Sequence, residues 1–220
     1  MRTLLLSLAL AAFAGASQAG TVTLSEETFA PGDVALVRLS GPVGGQSSSQ
    51  SAGNGNPAPS LVVTTQTNIE TRNAFMVDGL TYDLSMGGVQ SLSYSVDFDP
   101  FQAFGQGQAF GLVVEQNGVY YVSTAGVTNA VPGFQTGGEQ MLTSADFAPR
   151  LGNGMLDFSQ GAGTLSFGIY SANSGGNGIS VAYDNLEINL AKDMAVIPLP
   201  ASLPLLLLGL GGLALRARRG

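Results

Sequence analysis

The stretch LSYSVDFDPF, Leu92 to Phe101, decides the fold. Its apolar residues Leu92, Tyr94, Val96 and Phe98 alternate with serines and aspartates. Successive side chains of a β-strand point to opposite faces, so the alternation predicts a strand with one buried face and one polar face. An amphipathic helix would instead repeat its apolar residues every three or four positions.

Two further stretches extend this pattern. FGLVVEQNGVYYVSTA places Asn117-Gly118 between two apolar runs, and this dipeptide predicts a tight hairpin because both residues tolerate positive φ. In ISVAYDNLEINL, the first three apolar residues alternate in one phase and the next three alternate in the opposite phase. One extra residue near Asp184-Asn185 produces such a change, so we predict a β-bulge there.

The interior as a whole is predicted to be all-β. Further strands are expected in GTLSFGIY and at Thr21–Leu24, Val34–Leu39, Leu61–Thr67 and Leu80–Leu84. About nine or ten short strands, with Gly, Pro and Asn turns and no interior helix, predict an antiparallel β-sandwich of jelly-roll, lectin-like type. The polar segment Gly44–Ser60 is too poor in apolar residues to order itself and is expected to be a loop. Shorter breaks are expected at Gly133–Gly138 and Ser171–Gly178.

Composition excludes several chemistries. The 220 residues include no cysteine and no histidine, which excludes disulfides, Cys/His zinc sites and histidine-based catalysis. Between Gly20 and Asp193, four basic side chains stand against all 15 acidic ones. Nucleic acid is therefore not expected as a partner, because phosphate binding depends on Lys and Arg.

The N-terminal segment, residues 1–19, has the organisation of a signal peptide. Arg2 precedes an apolar stretch, and Ser17 and Ala19 occupy the −3 and −1 positions of a small-residue cleavage site. Cleavage there makes Gly20 the first residue of an exported domain, residues 20–193.

The C-terminal segment, residues 194–220, contains a proline-free apolar run from Leu205 to Leu215. As a helix this run covers roughly half of a hydrocarbon core of about 30 Å. The basic side chains of Arg216, Arg218 and Arg219 follow it and are expected to stay on the cytoplasmic side. The segment is predicted to be a removable sorting signal with a short transmembrane helix; a retained single-pass anchor is the alternative.

A six-residue motif precedes this run: Val196, Ile197, Pro198, Leu199, Pro200 and Ala201. With the apolar run and the arginines, it resembles the VPLPA-CTERM variant of the PEP-CTERM sorting signals, with Ile197 inserted. The resemblance implies that a membrane-embedded exosortase recognises Pro198–Ala201 and cleaves nearby. It also implies passage through the inner membrane to the cell surface or extracellular matrix of a Gram-negative bacterium.

The interior is similar to the lectin-like sandwich domains that often precede such signals. The similarity concerns the YSVDFDPF strand, the FGLVVEQNGVYYVS hairpin and the closing ISVAYDNLEINL strand, and it implies a fold only. We therefore predict a non-catalytic surface or matrix protein. A carbohydrate-binding module that contacts extracellular polysaccharide is the alternative, with Tyr120, Tyr121 and Tyr170 as a candidate aromatic platform unless they serve in packing.

Carboxylates are the remaining candidates for chemistry. Asp97 and Asp99 share a strand face and could flank a glycosidic bond, but such pairs usually form a solvated face, so no catalytic residue is assigned. No cofactor is expected apart from a structural Ca²⁺, since Asp97, Asp99, Asp184 and Asn185 offer oxygen ligands if their strands are adjacent.

Overall fold

The structure is a computed structural model. It describes residues 20–193 apart from positions 31, 44, 52–54, 58, 67–68, 103–107, 124–125, 129–132 and 174–178. The cleavage residues Ser17 and Ala19, the sorting motif 196–201 and the arginines at 216–219 lie outside the described residues. Within the described part of the chain, no helix is both long enough and apolar enough to span a bilayer.

The described body consists of strands and two short 3-10 turns. The strands are β1 Thr21–Glu26, β2 Val34–Ser40, β3 Gln46–Ser51, β4 Ser60–Thr65, β5 Thr71–Asp83, β6 Val89–Gln102, β7 Gln108–Gln116, β8 Val119–Ser123, β9 Gly126–Thr128, β10 Gln135–Leu142, β11 Phe147–Leu151, β12 Thr164–Asn173 and β13 Ile179–Lys192. Every pairing between them is antiparallel. The predicted all-β antiparallel sandwich is confirmed.

The strands form two sheets. The first sheet has the order β10-β6-β13-β4-β3, and β1 pairs with β13 beyond the end of β4. The second sheet has the order β11-β8-β7-β12-β5-β2, with β9 beside β7. The two ends of this second order, β11 and β2, approach each other, so the second sheet curls around its outer face.

The main core lies between the inner faces of the two sheets. Tyr94, Val96 and Phe98 of β6 are buried there, as their alternation predicts, and they share the core with Leu112 of β7 and Phe167 of β12. A second, smaller apolar cluster lies on the outer face of the curled sheet, at Leu39, Ala74, Val113, Val122, Tyr170 and Ala172. The second sheet is therefore apolar on both faces.

Both predicted local features of the backbone are confirmed. Asn117 and Gly118 join β7 to β8 with φ angles of 54° and 79°, as a type I′ hairpin requires. In β13 the pairing steps from Asp184 opposite Asp97 to Glu187 opposite Ser95, so β13 carries one extra residue. Asn185, at this bulge, has a φ of 49°.

Several strands were missed. The expected loop at Gly44–Ser60 is wrong in part, because Gln46–Ser51 forms β3 along β4 and Ser60 begins β4. The serine-rich β3 buries little apolar surface, and the backbone ladder to β4 orders it instead. The expected breaks at Gly133–Gly138 and Ser171–Gly178 are shorter, since β10 begins at Gln135 and β12 continues to Asn173.

The two ends of the described body are neighbours. The Lys192 N–H donates to the Gly20 carbonyl at 3.0 Å, and Thr21 pairs with Ala191. The Asp193 N–H donates to the Gly88 carbonyl at 2.9 Å. The first strand is thus fixed along the last one.

Candidate functional site

A groove of about 340 Å³ crosses the outer face of the second sheet. Side chains of five strands line it: Ala35, Met76, Thr81, Glu115, Tyr120 and Ser166. Asp33 and Asp78 add two carboxylates at its edge. We call this feature the tyrosine groove, after Tyr120.

Strand register places one row of these side chains side by side. Tyr120 lies opposite Glu115, Glu115 opposite Ser166, and Ser166 opposite Thr81. The row therefore crosses β8, β7, β12 and β5. Because neighbouring strands lie about 4.8 Å apart, four adjacent positions span about 14 Å. The groove can thus contact an extended ligand at several points.

An irregularity in β5 shapes the groove edge. Thr81 and Met76 pair with Ser166 and Gly168, so β5 has three more residues than β12 between these pairs. The extra length carries Asp78, whose N–H donates to the Asp33 carbonyl at 2.6 Å. The bulged segment is thereby held against the chain just before β2.

Ala35 and Met76 give the groove its apolar lining, and the sheet next to Met76 is tightly packed. Gly168 lies between Val113 and Met76, and a Cβ added to Gly168 would fall 2.3 Å from the Phe75 carbonyl oxygen. Only glycine fits at this position without forcing β12 away from β5. Val113 itself is fully buried.

Polar groups at the groove are held in place by the backbone. The Glu115 carboxylate accepts a hydrogen bond from the Gly118 N–H at 2.6 Å, so the hairpin turn orients it. The Asp78 carboxylate accepts from the Gly79 N–H at 3.0 Å. Burial and then the Glu115 charge raise the pKa of Tyr120. The described lining contains no lysine and no arginine.

The three candidate tyrosines are separated by the structure. Tyr120 is half-buried and lines the groove. Tyr121 points to the opposite face, is 2% exposed and belongs to the main core. Tyr170 is on the outer face but only 6% exposed, and burial raises its pKa against the nearby charges of Arg72 and Arg150. The three tyrosines therefore do not form one platform; Tyr120 is the accessible ring among them.

The proposed calcium ligands are partly brought together on the other sheet. Asp184 lies opposite Asp97, and the Asn185 side-chain amide donates to Asp97 at 2.9 Å. Asp97 also accepts from the Thr136 hydroxyl at 2.6 Å. Asp184 accepts backbone N–H bonds from Asn56 at 2.5 Å and from Asn185 at 2.9 Å. Each oxygen of the two carboxylates thus already accepts a hydrogen bond from a protein donor.

The pKa of Asp184 and the contacts of Asp99 also bear on a cation site. Burial raises the pKa of Asp184, and the charges of Asp97 and Glu27 act in the same direction, against its backbone hydrogen bonds. Asp99 accepts from the Gly133 N–H at 2.8 Å and makes no described contact with the other candidates. Among the described residues, no set of three or more acidic side chains is arranged to hold a metal. The calcium site stays a prediction.

Sequence patterns alone did not identify the groove. Its hairpin tyrosine was a candidate, but Asp33, Asp78, Glu115 and Ser166 are far apart along the chain. They meet only through the order of strands in the second sheet. The Asn-Gly turn was the one local signal, because it sets the Glu115–Tyr120 pair.

Comparison with known proteins gives matches among solved structures only. No protein-family model and no curated protein matches the chain. The chain is similar to the family 11 carbohydrate-binding module of Clostridium thermocellum in complex with a mixed-linked tetrasaccharide, at 12% identity and a TM-score of 0.48, over 80% of this chain and 98% of that one. It is also similar to the CBM22-1 xylan-binding domain of a Paenibacillus barcinonensis protein, at 15% identity and a TM-score of 0.42, over 77% and 94%. At these identities the likeness concerns the fold alone.

Proposed function

We propose that this chain is an exported, non-catalytic module that binds an uncharged polysaccharide in the tyrosine groove. The observation that carries the proposal is the row of Tyr120, Glu115, Ser166 and Thr81 across four strands, with the apolar side chains of Ala35 and Met76 in the same groove. This combination of one aromatic ring, hydroxyls and carboxylates suits a ligand that is rich in hydroxyl groups and has apolar C–H faces.

The charges of the groove favour a neutral ligand. Glu115, Asp33 and Asp78 are acceptors for ligand hydroxyls, and no described lining residue is basic. A carboxylated or sulfated polymer would meet repulsion from these side chains and from the acid-rich body. The C–H face of a sugar ring can stack on Tyr120 while its hydroxyls bond to the row.

Export and sorting belong to the same proposal. The motif Val196–Ala201 and the arginines that follow support an exosortase-type enzyme as partner, with delivery through the inner membrane to the cell surface or matrix. A polysaccharide ligand would be met there. Intact mass of the protein from its host tests this part: a chain from Gly20 to near Ala201 supports sorting, whereas a chain ending at Gly220 supports a retained anchor.

Affinity gel electrophoresis tests binding. The full-length chain is run in gels containing mixed-linkage β-glucan, galactomannan or xylan, with polygalacturonate as the anionic comparison. We expect retardation by at least one neutral polymer. Tyr120→Ala should weaken it about 10-fold, equivalent to roughly 1.4 kcal/mol, while Tyr120→Phe, which keeps the ring, should bind within about threefold of the parent.

Three results would overturn the proposal. Retardation by polygalacturonate alone would exclude a neutral ligand. Release of new reducing ends from a neutral polymer would make the groove a hydrolase site, with its carboxylates as the first residues to substitute. If Tyr120→Ala and the parent bind equally, the polysaccharide is bound elsewhere on the chain.

A further inference from the structure

The outer face of the first sheet presents an ordered grid of small side chains, five of which are polar and one of which is alanine. Thr23, Asn189 and Ser93 lie opposite one another on β1, β13 and β6, and Thr21, Ala191 and Ser91 form the next row. Same-face residues of a strand lie about 6.8 Å apart and the strands about 4.8 Å apart, so the grid is roughly 10 Å wide. We call it the hydroxyl face. It is on the opposite side of the molecule from the tyrosine groove.

A second groove, of about 310 Å³, is built on this face. Thr21, Ser91, Ser93 and Asn189 line it together with Gln140 and Met141 at the β10 side. Its volume is at the lower end of the range for small-molecule sites. The tyrosine groove shares none of these residues.

Met141 is the unusual member of the lining. It is 80% exposed and has a φ of 58°, in the left-handed region that a bulky side chain avoids. The cause is the bulge between Glu139 and Leu142, where β10 has one more residue than β6. Backbone strain of this kind persists where the surroundings impose it and is concentrated at ligand sites. Here it puts an apolar side chain beside the polar grid.

The lining is uncharged and partly pre-oriented. The side-chain carbonyl oxygen of Asn189 accepts a hydrogen bond from the Thr23 hydroxyl at 2.6 Å. The side-chain NH2 of Asn189 donates to the Glu187 carboxylate at 2.6 Å, so the Asn189 side chain is fixed. Ser91, Ser93 and Gln140 make no side-chain hydrogen bond to another described residue. Among the residues that the structure describes, no carboxylate lines the groove to hold a cation and no basic group lines it to hold an anion.

We propose that this groove is a second saccharide site, which takes a segment of an uncharged glycan with hydroxyls on the grid and a C–H face on Met141. Charge complementarity selects the occupant, because an uncharged hydroxyl lining in an acid-rich body matches a neutral polyol and repels anionic polymers. The site itself does not require the tyrosine groove. With both sites, on opposite sheets, one molecule can link two polysaccharide chains. This linking rests on the proposed function, because it needs the tyrosine groove as well.

The test compares full-length variants of the two sites. Met141→Gly relieves the positive φ, so it should fold at least as well as the parent yet lose the apolar contact. Asn189→Ala removes the fixed amide. Met155→Gly is the matched control, because Met155 is also an exposed methionine, at 90%, and lies outside the groove. Tyr120→Ala isolates the second site from the first.

Two measurements are made on galactomannan and mixed-linkage β-glucan: gel retardation and light scattering from cross-linked polymer. We expect Tyr120→Ala to keep part of the retardation and to lose the scattering. Met141→Gly and Asn189→Ala should also lose the scattering, and adding either to Tyr120→Ala should lower the residual binding about 10-fold. Met155→Gly should match the parent in both measurements.

The outcomes separate the two proposals. If Tyr120→Ala abolishes all binding and Met141→Gly changes nothing, the second site does not exist and the tyrosine groove stands. If binding survives Tyr120→Ala but is lost in Met141→Gly, the hydroxyl face is the saccharide site and the tyrosine groove fails. If no neutral polymer retards the parent chain, both proposals fail.

Discussion

The bulge in β13 makes a sharp prediction about deletions. Ile188 lies opposite Tyr94 and Asp184 opposite Asp97, with one surplus residue between them on β13. Removing Asn185 therefore restores regular alternation and leaves Leu186 facing the core with no change downstream. Removing Ala182 instead puts part of the strand on the wrong face. Two single-residue deletions in one strand should thus differ greatly in cost.

The magnitudes follow from the contacts. Deleting Asn185 loses its hydrogen bonds to Asp97 and to the Asn56 carbonyl, together about 2–4 kcal/mol. It also relieves a positive φ worth about 1 kcal/mol, for a net loss of about 1–3 kcal/mol. If the bulge is kept, deleting Ala182 turns the buried Ile179 and Val181 outward, at about 3–6 kcal/mol.

If β13 instead loses its bulge, deletion of Ala182 exposes Tyr183 and turns Asp184 inward. Exposing the ring costs about 1.5–3 kcal/mol, and burying the unpaired charge adds several kcal/mol. Either route costs about as much as the lower end of the total stability of a domain, which is about 5–15 kcal/mol. We expect the Asn185 deletion to fold and the Ala182 deletion to be largely unfolded.

Equilibrium urea unfolding measures the difference. The chain contains no tryptophan, so far-UV circular dichroism follows the transition. Asn185→Gly serves as the control that keeps the bulge while removing the side chain, and it should resemble the Asn185 deletion within about 1–2 kcal/mol. Equal destabilisation by the two deletions would refute the assignment of the surplus residue to this bulge.

Three further predictions concern single groups. Gly168→Ala should lower the free energy of unfolding in urea by about 3 kcal/mol or more, because its Cβ meets the Phe75 carbonyl. Gly118→Ala, whose Cβ would lie in open space, should lower it by about 1 kcal/mol because of the positive φ. Equal losses would contradict the close packing of Gly168 against β5. The raised folded-state pKa of Asp184 means that its contribution to stability is full below the unfolded pKa of about 3.9 and is lost as pH rises through the folded pKa. The stability of the parent relative to Asp184→Asn should therefore fall as the pH rises above about 4, and a rise in stability would reverse the assigned direction. Chelation by EDTA should leave the melting temperature unchanged, since both carboxylate oxygens of Asp97 already accept hydrogen bonds from protein donors; a lower melting temperature would support the calcium site.

Local sequence patterns predicted the features that depend on neighbours along the chain. Alternation in LSYSVDFDPF, the Asn117-Gly118 turn and the phase change at Asn185 each have a backbone cause within a few residues. All three are confirmed in the structure.

Features that depend on distant pairing were not predictable in the same way. The polar β3, QSSSQS, has no apolar alternation, and the ladder to β4 determines its structure. In β10, Gly137 and Gly138 looked like a break. A Cβ at Gly137 would meet the Phe110 ring at 2.6 Å, and one at Gly138 would meet the Tyr94 carbonyl at 2.0 Å, so both glycines serve close packing of a strand.

The groove residues illustrate the same limit. Tyr120 and Glu115 are joined by a short hairpin, but Ser166 and Asp78 reach them only because β12 and β5 follow β7 in the sheet. Strand order is a property of the whole fold, and one sequence carries no direct signal of it.

The adjacency of Gly20 and Lys192 determines how the body would resist mechanical force. A pull that separates these two ends loads the β1–β13 ladder from its tip, so the hydrogen bonds break one after another, as in a zipper. If the proposed polysaccharide is bound, a pull on Lys192 against that polymer acts differently, because β13 is paired along both sides and must slide past β6, β1 and β4 together. The body should therefore yield easily when stretched end to end and hold firmly when drag on a bound polymer is transmitted through its last strand.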